Sequence, residues 1–262
     1  MPLADYSHWG HLAVTGADRV RFLQGLTTVN VAAMAPGAHA WGAILSPKGR
    51  VLTVVEATME AERVLLHCEP ALVEKTVGLL EKYAVMDDVV TTPVTLVAHK
   101  AWTTPAEAWK TPYVFAPVSA AGAGAGAVSS PEALEIARVE AGMLVYGQDV
   151  DEDTFPFETP LAAWLDYEKG CYVGQEPVFR VHAQGQGARV LRGLRVEGDG
   201  AVARGAPVKH AAREKAGVVT SSVVSPTFGA IAMAYLHRTV WEVGGEVEVE
   251  GRKAVVVELP FG

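Results

Sequence analysis

The densest chemistry in the sequence lies in one run, Lys169-Gly170-Cys171-Tyr172-Val173-Gly174-Gln175-Glu176. A thiol stands two residues from a lysine, and a nearby cation lowers a cysteine pKa and favours the nucleophilic thiolate. The bracketing glycines let the backbone turn tightly or approach a ligand. Gln175 and Glu176 add a donor–acceptor amide and a carboxylate. Cys171 is therefore the candidate catalytic residue, tuned by Lys169, with Gln175 and Glu176 shaping its pocket. A structural cysteine buried at a strand–helix junction is the other reading of the same residues.

Other chemistries fail on spacing. Cys68 and Cys171 are the only cysteines, so no disulfide framework, CxxC pair or zinc-ligand set can be built, and an iron–sulfur cluster held by this chain alone would lack its four thiolates. Asp149-Val150-Asp151-Glu152-Asp153 matches the first ligand positions of a calcium loop. Thr154 replaces the required glycine and Pro160 the closing glutamate, leaving an acidic surface loop. Gly122-Ala123-Gly124 lacks the GxGxxG spacing, because the next glycine falls at 126. The net charge of −8 over 262 residues supplies no global basic field for a polyphosphate backbone. Arg180, Arg189, Arg192 and Arg195, with His182 among them, read as a solvated strand edge. Direct nucleic-acid binding is not expected. No apolar run approaches membrane-spanning length, and the first residues lack the pattern of a signal peptide. The expectation is a cytoplasmic protein without a membrane partner.

The elements that must position these groups follow from periodicity and punctuation. His11–Val14 reads as a strand, and Thr15-Gly16-Ala17-Asp18 has the spacing of a capping box ahead of a helix with Val20, Phe22, Leu23 and Leu26 on one side. Ala40–Leu45 and Val51–Ala57 flank the turn Ser46-Pro47-Lys48-Gly49 and predict a hairpin. Pro70 opens a helix to about Tyr83, with Val73, Val77, Leu80 and Ala84 on one face. Short strands are expected near Val94–Ala98 and Tyr113–Pro117. Ala120–Ala127 alternates alanine and glycine like a flexible connection. Pro131 starts a helix that runs to about Ala141 and ends at Gly142. From about residue 186 the pattern is all-β: Val190–Val196, Val218–Val224, Ala230–Leu236, Glu246–Glu250 and Ala254–Leu259 predict a small antiparallel barrel.

The run 169–176 matches, at all eight positions, the K-G-C-Y-x-G-Q-E signature of the YgfZ family, within the glycine-cleavage T-protein superfamily. The resemblance covers nearly the whole chain. It includes Thr15-Gly16-Ala17-Asp18 with Phe22-Leu23-Gln24-Gly25, then Ser46-Pro47-Lys48-Gly49-Arg50-Val51. It continues through Arg138-Val139-Glu140-Ala141-Gly142, Tyr146-Gly147-Gln148-Asp149 and Thr154-Phe155-Pro156. It ends with Gly217-Val218-Val219-Thr220-Ser221 and Ser225-Pro226.

This resemblance implies an α+β protein with a three-lobed, T-protein-like ring: a folate-binding body of two lobes over 1–185 and an antiparallel β-barrel over 186–262. Tetrahydrofolate or a one-carbon derivative would occupy the central hole. Glu140 would hydrogen-bond the pterin, since a carboxylate suits paired N–H donors. Trp9 would offer an indole face, and Arg138, Tyr172, Gln175 and Glu176 complete the implied folate-binding residues. The implied function is support of the assembly or repair of iron–sulfur enzymes, with assembly factors or client enzymes as partners and only indirect effects on tRNA modification. Aminomethyl transfer of the T-protein type, or a ligand-free scaffold, are the alternatives. T-proteins carry an Asp-Asp pair a few residues after the hairpin glycine, where this chain has Thr53 and Val54. Loss of acid–base help of that kind costs roughly 10²–10⁴ in rate, so transfer is expected to be crippled. Pro177 and Phe179 also depart from the family run and leave the path of the following helix open.

Overall fold

The computed structural model describes residues 3–116, 129–183 and 187–262. The alternating run at 120–127, with Gly122-Ala123-Gly124, lies outside these residues, as does the expected boundary at 185–186.

A five-stranded antiparallel sheet carries the body. Its strands are β2 (Gly10–Thr15), β3 (His39–Leu45), β4 (Val51–Met59), β5 (Val64–Cys68) and β6 (Val90–Pro93), in the order β3-β4-β5-β2-β6. The expected hairpin is β3–β4, with Ala43 opposite Val54 and Trp41 opposite Glu56. Alternation then sorts side chains to two faces. Leu12, Val14, Ile44, Ala57, Val64 and Leu66 pack under α1 (Arg19–Leu26) and α2 (Val73–Tyr83), against Phe22, Leu23, Leu26 and Leu80. Trp41, Ala43, Leu45 and Val54 face the other way, into a second cluster. Because both faces are covered, β4 is buried over almost its whole length.

A three-stranded sheet of β1 (Leu3–Asp5), β7 (Val97–Ala101) and β8 (Val114–Ala116), in the order β1-β7-β8, flanks the second face. The sequence placed strands at 94–98 and 113–117. The sheet uses 97–101 and 114–116, and β1 was not foreseen because three residues carry too little periodicity.

The capping box at Thr15 is not formed. Thr15 ends β2, and Asp18 occupies the cap position without bonding the helix. Its Oδ2 instead accepts from the Asp88 N–H at 2.9 Å, while Asp88 Oδ2 accepts from Ala17 N–H at 3.1 Å. A tertiary pair thus takes the local motif's place.

The helix expected from Pro131 is α3 (Pro131–Glu140), capped by the Ser130 hydroxyl, which accepts from Ala133 N–H. Helix α4 (Gln175–Ala183) absorbs Pro177 at its third residue, where no intrahelical N–H bond is lost.

The remaining chain is a closed six-stranded barrel: β9 (Arg189–Val196), β10 (Pro207–His210), β11 (Arg213–Ser225), β12 (Gly229–His237), β13 (Glu246–Val249) and β14 (Arg252–Val257). Five strands were foreseen; β10 was missed because Pro207-Val208-Lys209-His210 shows one apolar side chain only. On β12, Ala230, Ala232 and Ala234 fill the narrow barrel interior. Ile231, Met233 and Tyr235 point outward and join the body's cluster. One strand therefore serves both cores, and the barrel is packed firmly on the body.

Candidate functional site

The second face of the large sheet does not pack solid. A cavity of about 500 Å³ opens between it, the N-terminal segment, the 102–109 loop and α3. Its wall carries the indoles of Trp9, Trp41, Trp102 and Trp109, the ring of Tyr6, and Val54, Leu134, Met143 and Leu144. Trp41 reaches it from β3, and Val54, on the adjacent strand, shares that face. Trp109 is oriented by its indole N–H, which donates to the Ala141 carbonyl at 2.8 Å. Trp9 stands edge-on to Tyr6, with ring centroids 4.9 Å apart. Flat apolar walls with a few polar groups are the usual make-up of a small-molecule site.

Polar groups in the wall come from Asp5, His8, Glu69, Glu135 and Arg138. All five Arg138 donor directions are spent within the protein. Nε and Nη2 grip the Glu135 carboxylate at 2.7 and 2.6 Å. Nη1 donates to Met143 O and Asp149 Oδ2, and Nη2 also donates to Ser221 Oγ. Arg138 thus pins α3 to the acidic loop and to barrel strand β11, and only its stem faces the cavity. Asp149 is wholly buried, so the loop that resembled a calcium site is a structural joint. Among the described residues, no cluster of three His, Cys, Asp or Glu side chains suits a metal ion.

Beneath the tryptophans lies a buried polar floor. Lys100 donates to both Glu56 oxygens, at 2.8 and 2.6 Å, and neither side chain is exposed to solvent. His39 Nδ1 lies 2.7 Å from the same carboxylate. Glu56 is therefore fully engaged and is not free to replace a missing acid. Beside it, His11 and His67 share a 2.8 Å Nδ1–Nδ1 contact, which requires one nitrogen to donate and the other to accept. Burial holds both imidazoles below the usual histidine range, His67 most strongly.

The positions of the T-protein aspartates are now explicit. Val54 lines the cavity, whereas Thr53 is buried on the opposite side and meets the Thr76 hydroxyl at 3.1 Å. Neither contributes a carboxylate.

The structure divides the residues singled out from the sequence. Trp9 and Arg138 line the cavity; Glu140, Lys169, Cys171, Tyr172, Gln175 and Glu176 do not. Glu140 sits at the end of α3 and accepts from Ser225 Oγ at 2.5 Å, at the turn between β11 and β12. Lys169 sends its ammonium to the carbonyls of Gln24, Thr27 and Val29, at 2.6, 2.8 and 2.7 Å. With its three protons committed there, it has none left for a thiolate at Cys171. Burial draws the Lys169 pKa down to about 8, opposed by Asp166.

Cys171 is exposed. Tyr172 is buried, its ring 5.0 Å from the Lys169 ammonium, and burial pushes its hydroxyl up to about 12. Gln175 and Glu176 form the first turn of α4. Gly174, at φ +80°, lies so close to the hairpin tip that an added Cβ would come within 2.4 Å of Ser46 O. Seen whole, the run clamps the end of α1 to the β3–β4 hairpin. Reasoning from sequence missed Tyr6, Trp41, Glu69, Trp102 and Trp109. The one available signal was that Trp41 and Val54 fall on the same face of the expected hairpin.

Arg189, Arg192 and Arg195 are also occupied locally, by Glu158 and Asp153 O, by Trp241 O, and by Gly262 O. Among the described residues, no helix is long and apolar enough to cross a membrane.

Comparison with known proteins bears on this geometry. Residues 189–261 match the glycine cleavage T-protein C-terminal barrel domain. An aminomethyltransferase of Thermosynechococcus vestitus is 28% identical, the alignment covering 98% of this chain and 83% of the relative. One from Rubrobacter xylanophilus is 29% identical over 99% of this chain and 82% of the relative. One from Rippkaea orientalis reaches 40%, over 47% of this chain and 35% of the relative. The crystal structure of glycine cleavage system aminomethyltransferase T from Bartonella henselae superposes with a TM-score of 0.86, over all of this chain and 86% of that one, at 22% identity. That likeness shows the fold, and the barrel match and the full-length relatives show the lineage: the chain belongs to the glycine-cleavage T-protein superfamily.

Proposed function

We propose that this chain binds a reduced folate, tetrahydrofolate or a one-carbon derivative, in the tryptophan-lined cavity and works there as a protein of the aminomethyltransferase type. The observation that carries the reading is the cavity itself: four indoles and a phenol ring around a space of about 500 Å³, a shape and chemistry that suit a flat heteroaromatic ring. Relatives named aminomethyltransferase over nearly the full chain favour transfer over iron–sulfur support. Bound there, a reduced folate supplies the nitrogen atoms that carry a one-carbon unit. The chain's own part is to hold the ring between Trp9 and the inner indoles and to keep bulk water off it.

Val54 favours a second reading, in which the folate is bound but not used for transfer. This is the YgfZ-like reading, with support of iron–sulfur enzyme assembly or repair as the outcome and effects on tRNA modification following indirectly. It rests on the missing carboxylate and on the run 169–176.

One pair of measurements separates the possibilities. Calorimetric titration with tetrahydrofolate should give saturable heat for the wild-type protein and for Cys171→Ala alike. An aminomethylated lipoyl carrier then reports turnover. Binding with turnover supports the first reading, binding without turnover the second, and absence of heat a ligand-free scaffold.

A further inference from the structure

We infer that Glu69 is the polar anchor of the cavity, accepting a hydrogen bond from an N–H donor on the edge of a flat heteroaromatic ligand, the task that the family resemblance assigns to Glu140. The inference rests on the folate reading of the cavity. Three carboxylates reach the wall. Glu135 is held on both oxygens by Arg138, and Asp5 sits at the mouth with its side chain 42% exposed. Glu69 differs from both. It stands at the junction between β5 and α2, its Oε1 accepts from Tyr146 N–H at 2.8 Å, and Oε2 has no hydrogen-bond partner among the described residues. One oxygen is thus fixed by backbone and the other is left to the cavity. A partly buried carboxylate oxygen without a donor is costly, and a ligand N–H would relieve that cost. Glu140 is spent on Ser225 outside the cavity.

The groups facing Glu69 are Arg138 and Asp149, which act on it electrostatically in opposite senses, and Asp5, Tyr6, His8 and Glu135 across the cavity. Cys68 precedes it in the chain. Burial raises the Glu69 pKa above the ordinary carboxylate range. An N–H donor binds the ionised form, so affinity falls as pH drops into that raised range, and removing the carboxylate removes this part of the pH dependence.

The test is titration of the full-length protein with tetrahydrofolate, and with an analogue whose ring 2-amino group is replaced by methyl, at pH 5.0 to 8.0 in flagged steps of about one unit. Wild-type protein should prefer tetrahydrofolate by about tenfold or more, the size of one charge-assisted hydrogen bond. Glu69→Gln should lose that preference and flatten the pH profile, while Glu140→Gln stays within about twofold of wild type, since it touches no cavity group. Glu69→Asp, which keeps the charge but retracts it, should lose the preference too and serves if the glutamine variant does not fold. If Glu69→Gln and Glu69→Asp retain the preference, or Glu140→Gln loses it, the anchor is not Glu69. If wild-type protein binds no tetrahydrofolate, the folate reading falls and this inference with it.

Discussion

The loop at 169–176 and the cavity walled by Trp9, Trp41, Trp102 and Trp109 are built in opposite ways. The loop takes eight consecutive residues and spends them on the chain itself: an ammonium on three carbonyls, a glycine against the hairpin tip, a tyrosine under the lysine. The cavity gathers residues from four separate stretches and leaves polar atoms uncommitted. A compact motif therefore marks a joint in the fold, and the scattered residues mark the place where a ligand fits. The joint still matters for function, because it fixes α1 to the hairpin whose strands carry Trp41 and Val54.

The largest effect expected from this contrast is at Lys169. Lys169→Met keeps the aliphatic stem but strands three carbonyls that now accept from a cation. Charge-assisted bonds of this kind are worth about 1.5–3 kcal/mol each when lost, and part of that loss is recovered by water at the partly buried site. A net loss of about 2–4 kcal/mol in chemical denaturation is expected, with tetrahydrofolate affinity of the folded fraction unchanged. An unchanged midpoint would show that the loop is not a clamp and would reopen a chemical role for the lysine.

Acid should act on the other side of the contrast. His11 and His67 have folded pKa values below the ordinary 6.5, so between those values the unfolded chain binds more protons than the folded one. The stability this pair contributes is present above pH 6.5 and is lost as pH falls, at up to about 1.4 kcal/mol per pH unit for each histidine. The cavity floor should loosen first, since His11 Nε2 is bonded to Tyr6 O. Hydrogen exchange at pH 5 should rise in β2 and β5 before it rises at 169–176. His67→Gln should flatten the stability profile. A flat wild-type profile between pH 5 and 7 would contradict the neutral buried pair.

A smaller effect is expected at Trp9, which is only half-buried. Trp9→Ala should leave the melting temperature nearly unchanged and weaken tetrahydrofolate by about 0.5–1.5 kcal/mol, the worth of an aromatic contact beyond its area. The same change in Lys169→Met with none in Trp9→Ala would move the ligand from the cavity to the loop.

Much of the fold was legible because local rules decided it. Ser130-Pro131 opens α3, the proline-bearing turn at 46–49 joins β3 to β4, and Glu250-Gly251, both at positive φ, close the β13–β14 hairpin. The boundary errors have tertiary causes: Asp18 pairs with Asp88 in place of a cap, and β10 is held by β11 and β13 on either side, with little pattern of its own. The site was harder to read. Trp9 and Arg138 were named, yet Arg138 is saturated by partners up to 83 residues away. Glu69, Trp102 and Trp109 carry no local signal that they face one space. A cavity is a property of how sheets and helices meet, and no stretch of sequence contains it.

The smallest effect, and the sharpest check on the comparison, concerns the two thiols. Cys68 lies in β5 with no exposed surface, and burial raises its pKa to about 11. Cys171 is exposed beside Gly170, which takes φ +94°. Only a thiolate in reach of solvent is alkylated, so iodoacetamide at neutral to mildly alkaline pH should label Cys171 in the folded protein and Cys68 only after unfolding, as read by mass spectrometry. Because Cys171 supports no packing, Cys171→Ser should change stability by less than about 0.5 kcal/mol, as surface substitutions do, and tetrahydrofolate affinity by less than about twofold. Alkylation in the presence of saturating tetrahydrofolate then tests whether loop and cavity are separate. An unchanged Cys171 labelling rate keeps them apart. Protection of Cys171 by the folate would mean that the bound molecule reaches the loop or moves it. The run 169–176 would then belong to the binding site after all.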